Sequence, residues 1–249
     1  MTPAAPRRLA AGFVKALLGR CGYAVVPAPS ALTLEAALSR RAKAGARVGT
    51  VLDIGASDGL WSREALRHFP GAACLLVEAN PVHAPALQAF KSSTDRVEVE
   101  LAAAGDVDGE LYFDGSDPAG GLAGHRPPAP GCLRVPAVRV DSLVRRKRPQ
   151  PPFLLKLDTH GFEVPILEGA AETLNSASLL VIEVYNFKLT AGSLRFHEMC
   201  AFLEDRGWRP IDMCGVMHRP GDGSLWQMDL IFAPAADPAF RSNDYRCPP

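Results

Sequence analysis

The stretch Val51-Leu52-Asp53-Ile54-Gly55-Ala56-Ser57-Asp58-Gly59 restricts the possible folds of this chain more than any other. Val51, Leu52 and Ile54 form a short apolar run, Gly55 and Gly59 punctuate it, and an amphipathic segment over 60–69 follows. This order predicts a strand, a tight turn and a helix, the opening unit of a nucleotide-type binding fold. Glycine at 55 and 59 would let the backbone approach a ligand with no Cβ in the way. Asp53, at the strand's carboxyl end, could accept hydrogen bonds from a ligand's amino group. The pattern is G-x-x-x-G. It is neither the G-x-G-x-x-G of dinucleotide enzymes nor a P-loop with its Lys-Ser/Thr, which disfavours a pyrophosphate or triphosphate ligand.

A second apolar strand over 73–77 ends in Glu78, 25 residues beyond Asp53. An acid at the end of the second strand can accept both ribose hydroxyl protons. A strand this apolar seldom ends in a carboxylate merely to be solvated, so Glu78 is read as a ribose ligand.

The 249 residues suffice for one large core, and 27 basic residues balance 27 acidic ones. A strong basic excess would mark a nucleic-acid binder, so nucleic acid is not an expected partner. The run Arg145-Arg146-Lys147-Arg148 reads as a solvated helix end. Six cysteines are scattered without C-x-x-C or C-x-x-H spacing, which predicts reduced thiols in a cytoplasmic protein and no zinc site. No apolar run approaches the roughly 20 residues of a membrane-spanning helix.

Residues 1–48 are expected to be a helical extension and residues 49–249 the main domain. Pro6 to Arg20 is amphipathic and basic. It could lie on a membrane surface, but docking on the domain or on a second subunit is the preferred expectation, with a homodimer as the default assembly. A second helix is predicted over 31–44, a helix from Asn80-Pro81 to about Lys91, and strands over 97–101, 109–113 and 135–140. From Asp114 to Pro136 the sequence turns to Gly, Pro, Asp and Ser, which predicts a long loop acting as a lid or access segment. Asp141 should cap a short helix. A buried strand over 153–157 then runs into Asp158-Thr159-His160-Gly161-Phe162-Glu163, and Leu167-Glu168-Gly169 marks a helix bend or end. A strand over 179–184 carries Glu183, a helix covers 194–206, and the apolar stretches over 209–213 and 225–232 suit a closing antiparallel hairpin.

Together the segments VLDIGASDG, LLVEANP, LAAAGDVDGELYF, VRVDSLV, LLKLDTHGFEVPILEGA and LLVIEV resemble the FkbM family of S-adenosylmethionine-dependent methyltransferases, in order and spacing, over about residues 49 to 184. The resemblance implies an α/β fold: a doubly wound, Rossmann-like sheet of seven mostly parallel strands with an antiparallel last strand. It also implies methyl transfer, commonly to a hydroxyl oxygen of a sugar or natural product. The cofactor S-adenosylmethionine would be held by Asp53, Gly55, Ala56, Ser57, Asp58, Gly59, Glu78, Ala79 and Asn80. Two departures stand out. The family often reads F-E-P-N-P where this chain has Val77-Glu78-Ala79-Asn80-Pro81, and Thr159-His160 stand where many members carry a hydrophobic residue and an acid.

Methyl transfer is an in-line displacement, and a hydroxyl acceptor must also lose its proton, so a general base is expected. Ligands of open α/β sheets lie beyond the carboxyl ends of the strands, where Asp53, Glu78, Asp158, His160 and Glu183 all fall. His160 is the preferred base, because neighbouring carboxylates would raise its ordinary pKa of about 6.5 toward working pH; Asp158 is the alternative. Lys156 and Asp158 share one face of their strand, and a buried lysine needs a partner among Asp158, Glu163 and Glu183. Asp158, His160, Glu163 and Glu183 could also form an oxygen and nitrogen ligand set, but no spacing forces a metal and none is expected. Glu163, Glu183, Tyr185 and Asn186 are candidate acceptor-binding residues. Trp226 and Gln227 could shape the same pocket, although Trp226 is more readily read as core. The competing readings are a non-catalytic scaffold with this fold, or methylation of nitrogen or another acceptor.

Overall fold

A computed structural model describes residues 15–22, 26, 31–118, 120–127 and 129–246. Residues 15–20 are helical; the rest of the helix expected over 6–20 lies outside the described residues, as does Cys247. The first complete helix, α1 (Leu34–Lys43), is capped by Thr33, whose side chain accepts from the Ala36 amide, and carries basic residues in its last turn.

The organising stretch forms β1 (Thr50–Ile54), fully buried, and α2 (Leu60–His68). There follow β2 (Ala73–Glu78), α3 (Ala84–Ser92) and β3 (Val97–Leu101). The helix expected from Asn80-Pro81 begins as a single 3-10 turn over 81–83, with the Asn80 side chain accepting from Val82 N, before α3 takes over. Downstream, β8 (Phe153–Leu157), β9 (Ala177–Tyr185), β10 (Trp208–His218) and β11 (Leu225–Pro234) complete a sheet in the order β10-β11-β9-β8-β1-β2-β3. Strands β3, β2, β1, β8 and β9 are mutually parallel. The last strand, β11, is antiparallel to both β9 and β10, so the expected hairpin closes the sheet.

Alternating residues of each strand feed two cores, which is what winding on both faces requires. Val51, Cys74, Leu76, Leu154 and Val181 pack with α1, α2 and α3. Leu52, Ile54, Leu75, Val77, Leu155 and Ile182 pack with α4 (Val140–Lys147), α5 (Glu163–Glu168) and α7 (Phe196–Glu204). A one-turn helix, α6 (Ala171–Leu174), follows α5 at the break expected near Gly169. That glycine cannot be replaced cheaply, since a Cβ would lie 1.9 Å from the Gly105 carbonyl oxygen.

Two expectations need correction. The stretch from Asp114 to Pro136 is not one loop. β4 (Ala103–Gly105), β5 (Gly109–Asp114), β6 (Leu122–Gly124) and β7 (Leu133–Arg139) form a second sheet in the order β4-β7-β5-β6, in which β7 is antiparallel to β5. The Gly and Pro signals mark its connections, and Leu122-Ala123-Gly124 is too short a strand to show a period. Asp141 does not cap its own helix. Its carboxylate instead accepts from the amides of Glu172 and Thr173 and from the Thr173 hydroxyl, capping α6 across the core. The basic run at the end of α4 is a solvated helix end, as expected, with Arg146 and Lys147 pairing with Glu100 and Glu98.

Candidate functional site

The carboxyl ends of β1, β2 and β8 open into a cleft roofed by the second sheet. Its walls include Gly55 and Ser57, Glu78 to Asn80, Ala102 to Ala104, Phe113, Gly121 and Ala123, and Asp158 to His160. His83 ties the roof to the floor, with Nε2 3.0 Å from the Pro118 carbonyl oxygen and 3.4 Å from Ser57 Oγ.

Glu78 is 7% exposed. Its Oε2 accepts from Ser57 N at 2.7 Å and its Oε1 from Asn80 N at 2.6 Å. Each oxygen retains a second acceptor direction. The carboxylate is thereby fixed between the β1 turn and the β2 end, with Ser57 held at φ +48°. Asn80 is also buried, and its Nδ2 has no partner among the described residues.

Asp53 departs from expectation. It is fully buried behind the cleft wall. Its Oδ2 accepts from Ser62 Oγ at 2.6 Å, and its Oδ1 lies 3.1 Å from Lys156 Nζ. Lys156 also donates to the Gly55 carbonyl at 2.9 Å and lies 3.3 Å from Asp158 Oδ2. Burial works against the charge of Lys156, but Asp53 and Asp158 outweigh it and raise its pKa. Asp158 in turn is held below the usual carboxylate range: burial opposes its charge, and Lys156 and His160 more than offset that. The lysine therefore clamps the cofactor-type turn of β1 to the end of β8. Gly55 is the other half of the clamp. Its φ is +74°, and a Cβ there would lie 2.0 Å from the Asp158 carbonyl oxygen, so glycine is required by the neighbouring strand. Ala56, Asp58 and Gly59 also stand back from the cleft. Asp58 caps α2 by accepting from Leu60 N, and a Cβ on Gly59 would meet Phe90 at 2.9 Å.

His160 sits on the cleft wall in the left-handed region, φ +52°, a conformation a non-glycine residue holds only when its surroundings impose it. Glu163 imposes it. Its Oε1 accepts from Gly161 N at 2.8 Å and from Thr159 Oγ1 at 3.2 Å. Glu163 is 4% exposed, and burial raises its pKa against those hydrogen bonds. Glu183 and Tyr185 likewise do not line the cleft but back the imidazole. His160 Nδ1 lies 2.8 Å from Tyr185 Oη and 3.2 Å from Glu183 Oε2, the Tyr185 hydroxyl donates to Glu183 Oε2, and Gln227 Nε2 donates to Glu183 Oε1. Burial lowers the His160 pKa, but the Glu183 hydrogen bond and the charges of Asp158, Glu183 and Glu163 outweigh it, so the net shift is upward. Asn186 does not line the cleft; its amide donates to the Trp226 carbonyl. Trp226 is half-buried, stacked on Phe187 and edge-on to Tyr185.

Asp158, His160 and Glu183 each offer a ligand atom, all within 4.8 Å of one another. Within the set Lys156 lies 3.3 Å from Asp158, and Tyr185, Gln227 and His160 contact the Glu183 oxygens. Glu163 lies outside the set.

The sequence pointed to Lys156 as needing a partner but not to Asp53 as that partner. The signal was available in the parallel register of β1 and β8, which pairs Asp53 with Lys156. The roof residues Gly121 and Ala123 fall in the stretch expected to be a lid or access segment and Phe113 at the end of the strand expected over 109–113, but no sequence signal singled out these three residues individually.

Residues 53–210 match the family model described as the methyltransferase FkbM domain. Among solved structures, an FkbM methyltransferase from Methylobacillus flagellatus is similar at 15% identity and TM-score 0.48, with the match covering 74% of this chain and 43% of that one. This chain thus spans less than half the length of that protein. A putative tRNA (m1A22) methyltransferase from Streptococcus pneumoniae, in complex with S-adenosyl-L-methionine, is similar at 11% identity and TM-score 0.46, covering 79% and 71% of the two chains. Mitomycin 7-O-methyltransferase is similar at 17% identity and TM-score 0.39, covering 78% and 52%. No curated protein sequence matches the chain.

Proposed function

The chain belongs to the FkbM family of S-adenosylmethionine-dependent methyltransferases, and on that premise we propose that it methylates a hydroxyl oxygen of a sugar, glycan or secondary metabolite. The observation that carries this reading is that Glu78, Asp158 and His160 line one cleft at the carboxyl ends of the parallel strands. The residues present suit S-adenosylmethionine. Glu78 keeps lone pairs for ribose hydroxyls, Asn80 brings a partnerless amide donor, and Ala102, Ala103, Ala104 and Phe113 form an apolar wall for a planar base. When bound, the cofactor supplies a methyl carbon activated by a sulfonium.

His160 Nε2 is the proton acceptor in this reading. It lies 3.8 Å from Asp158 Oδ1, too far to be committed to it. Asp158 is the poorer base, because Lys156 depresses its pKa. Its role is electrostatic: with Glu183 it stabilises the imidazolium that forms when the acceptor hydroxyl gives up its proton. The five described cysteines are free, which supports a reducing, cytoplasmic setting.

The test is incubation with methyl-labelled S-adenosylmethionine and a panel of sugars, glycans and phenolic or polyketide alcohols. Label in an ether product, lost by roughly 100-fold or more in His160→Ala, is expected for removal of a general base. Transfer confined to amine or thiol acceptors would overturn the reading.

A further inference from the structure

The polar groups behind His160 form a directed chain. Carboxylate oxygens only accept. Gln227 donates to one oxygen of Glu183, and the Tyr185 hydroxyl uses its only proton on the other. The Tyr185 oxygen can therefore meet His160 Nδ1 only as an acceptor, so Nδ1 must carry the hydrogen, shared between Tyr185 Oη at 2.8 Å and Glu183 Oε2 at 3.2 Å. The neutral ring then has its lone pair on Nε2, the nitrogen 3.8 Å from Asp158 Oδ1, and both residues line the cleft. The sheet builds this arrangement. Tyr185 lies two residues beyond Glu183 on the same face of β9, and β11 places Gln227 opposite Tyr185, so one partner of the glutamate comes from its own strand and the other from the antiparallel neighbour.

We propose that Glu183 is a positioning residue. Through Tyr185 and Gln227 it fixes the tautomer and orientation of His160, so that Nε2 faces the acceptor hydroxyl as its proton leaves. This rests on the reading of His160 as the base. The bookkeeping of the transfer closes on this chain. The acceptor oxygen bonds to the methyl carbon, the carbon–sulfur pair stays on sulfur, the hydroxyl proton moves to Nε2, and Glu183 keeps its charge opposite the new imidazolium. The other charged groups acting on the ring are Asp158, just past β8, and Glu163 at the start of α5; behind them Lys156 on β8 pairs with Asp158, and Asp229 on β11 faces Glu183. Burial, then Glu183 and Asp158, push Asp229 up to about 7. Among the described residues, Glu183 and Tyr185 are the groups that meet Nδ1.

The experiment is nitrogen-detected magnetic resonance of ¹⁵N-histidine-labelled protein, with His160 assigned by its loss in His160→Asn. It needs no acceptor. In the wild type the neutral His160 ring should show the Nδ1–H tautomer and a titration midpoint above that of an exposed histidine. Glu183→Gln should move the midpoint to lower pH, and Tyr185→Phe, which keeps the carboxylate, should move it less. In a methyl-transfer assay Glu183→Gln should lower kcat by about 10- to 100-fold, leave the affinity for S-adenosylhomocysteine unchanged, and shift the acidic limb of the pH profile with the midpoint. A neutral ring protonated on Nε2, a midpoint unmoved by Glu183→Gln in a folded variant, or ring signals shifted by added magnesium would each overturn the proposal. Wild-type protein that shows the predicted tautomer but methylates no hydroxyl would overturn the functional reading instead.

Discussion

Replacing Lys156 with methionine tests the clamp at the centre of the site. The ammonium is 5% exposed and has three partners: the Gly55 carbonyl at 2.9 Å, Asp53 at 3.1 Å and Asp158 at 3.3 Å. Methionine fills much the same volume, so little packing is lost. What remains is a fully buried Asp53 carboxylate with no counter-charge, and removing one member of a buried pair costs about 3–5 kcal/mol. At about 2–4 °C per kcal/mol for a domain of this size, the melting temperature should fall by roughly 6–20 °C. Thermal unfolding by circular dichroism and guanidinium titration would measure the loss. The pH dependence fixes its origin. In the variant, the buried carboxylates have pKa values above their unfolded ones, so their folded form is favoured at low pH and disfavoured as pH rises. The deficit should therefore be greatest near pH 8 and shrink toward pH 5. Adding Asp53→Asn, which keeps an acceptor for Ser62, should recover at least half of it. A loss below about 1 kcal/mol, or one that does not vary with pH, would refute the reasoning.

Gly55→Ala should cost at least about 1–2 kcal/mol for the left-handed backbone alone and more for the contact with Asp158, with cofactor affinity falling alongside stability; an unchanged melting curve would contradict the close approach. Asp229, pushed up to about 7 by burial and its acidic neighbours, favours the folded state below the unfolded pKa and loses that contribution as pH rises from about 4 to 7. Asp229→Asn should therefore gain stability relative to the wild type across that window, and a constant difference in denaturant midpoints would refute it. A bound sulfonium and an imidazolium at His160 would compete for the same acidic surroundings. Affinity for S-adenosylmethionine should then fall as pH drops through the raised His160 midpoint, while that for uncharged-sulfur S-adenosylhomocysteine changes less. Calorimetry on the wild type and His160→Gln checks this, and the variant should lose the difference.

The parts of the fold carried by period and punctuation were legible in the sequence. β1, β2, β8 and β9 are largely apolar runs because helices cover both faces of the sheet, and each carries an acid within its last three residues or, for β8, one residue beyond its end. The closing hairpin was readable from its two successive apolar stretches near the end of the chain. Of the second sheet, β5 and most of β7 were legible as strands, but β4 and β6 have three residues each and show no period, so their pairing into a separate sheet was not. In the site, Glu78 could be located from its strand, whereas the roles of Asp53, Glu163 and Glu183 depend on which neighbour each carboxylate meets. Asp53 and Glu78 look alike in sequence, each an acid at the carboxyl end of a buried strand. The register against β8 puts an ammonium beside Asp53, and the β1 turn puts backbone amides on Glu78. Thr159-His160-Gly161 likewise reads as an ordinary polar turn until Glu163 folds back to hold it.

The most direct test of the central claim is calorimetric titration of the purified protein with S-adenosylhomocysteine, beside Glu78→Ala. One site per chain is expected in the wild type. In Glu78→Ala, losing charge-assisted hydrogen bonds to the ribose should weaken binding by about 1.5–3 kcal/mol, roughly 10- to 150-fold. A folded wild type that binds no S-adenosylhomocysteine would contradict the assignment of the cleft, and an unchanged affinity in Glu78→Ala would move the ribose away from β2.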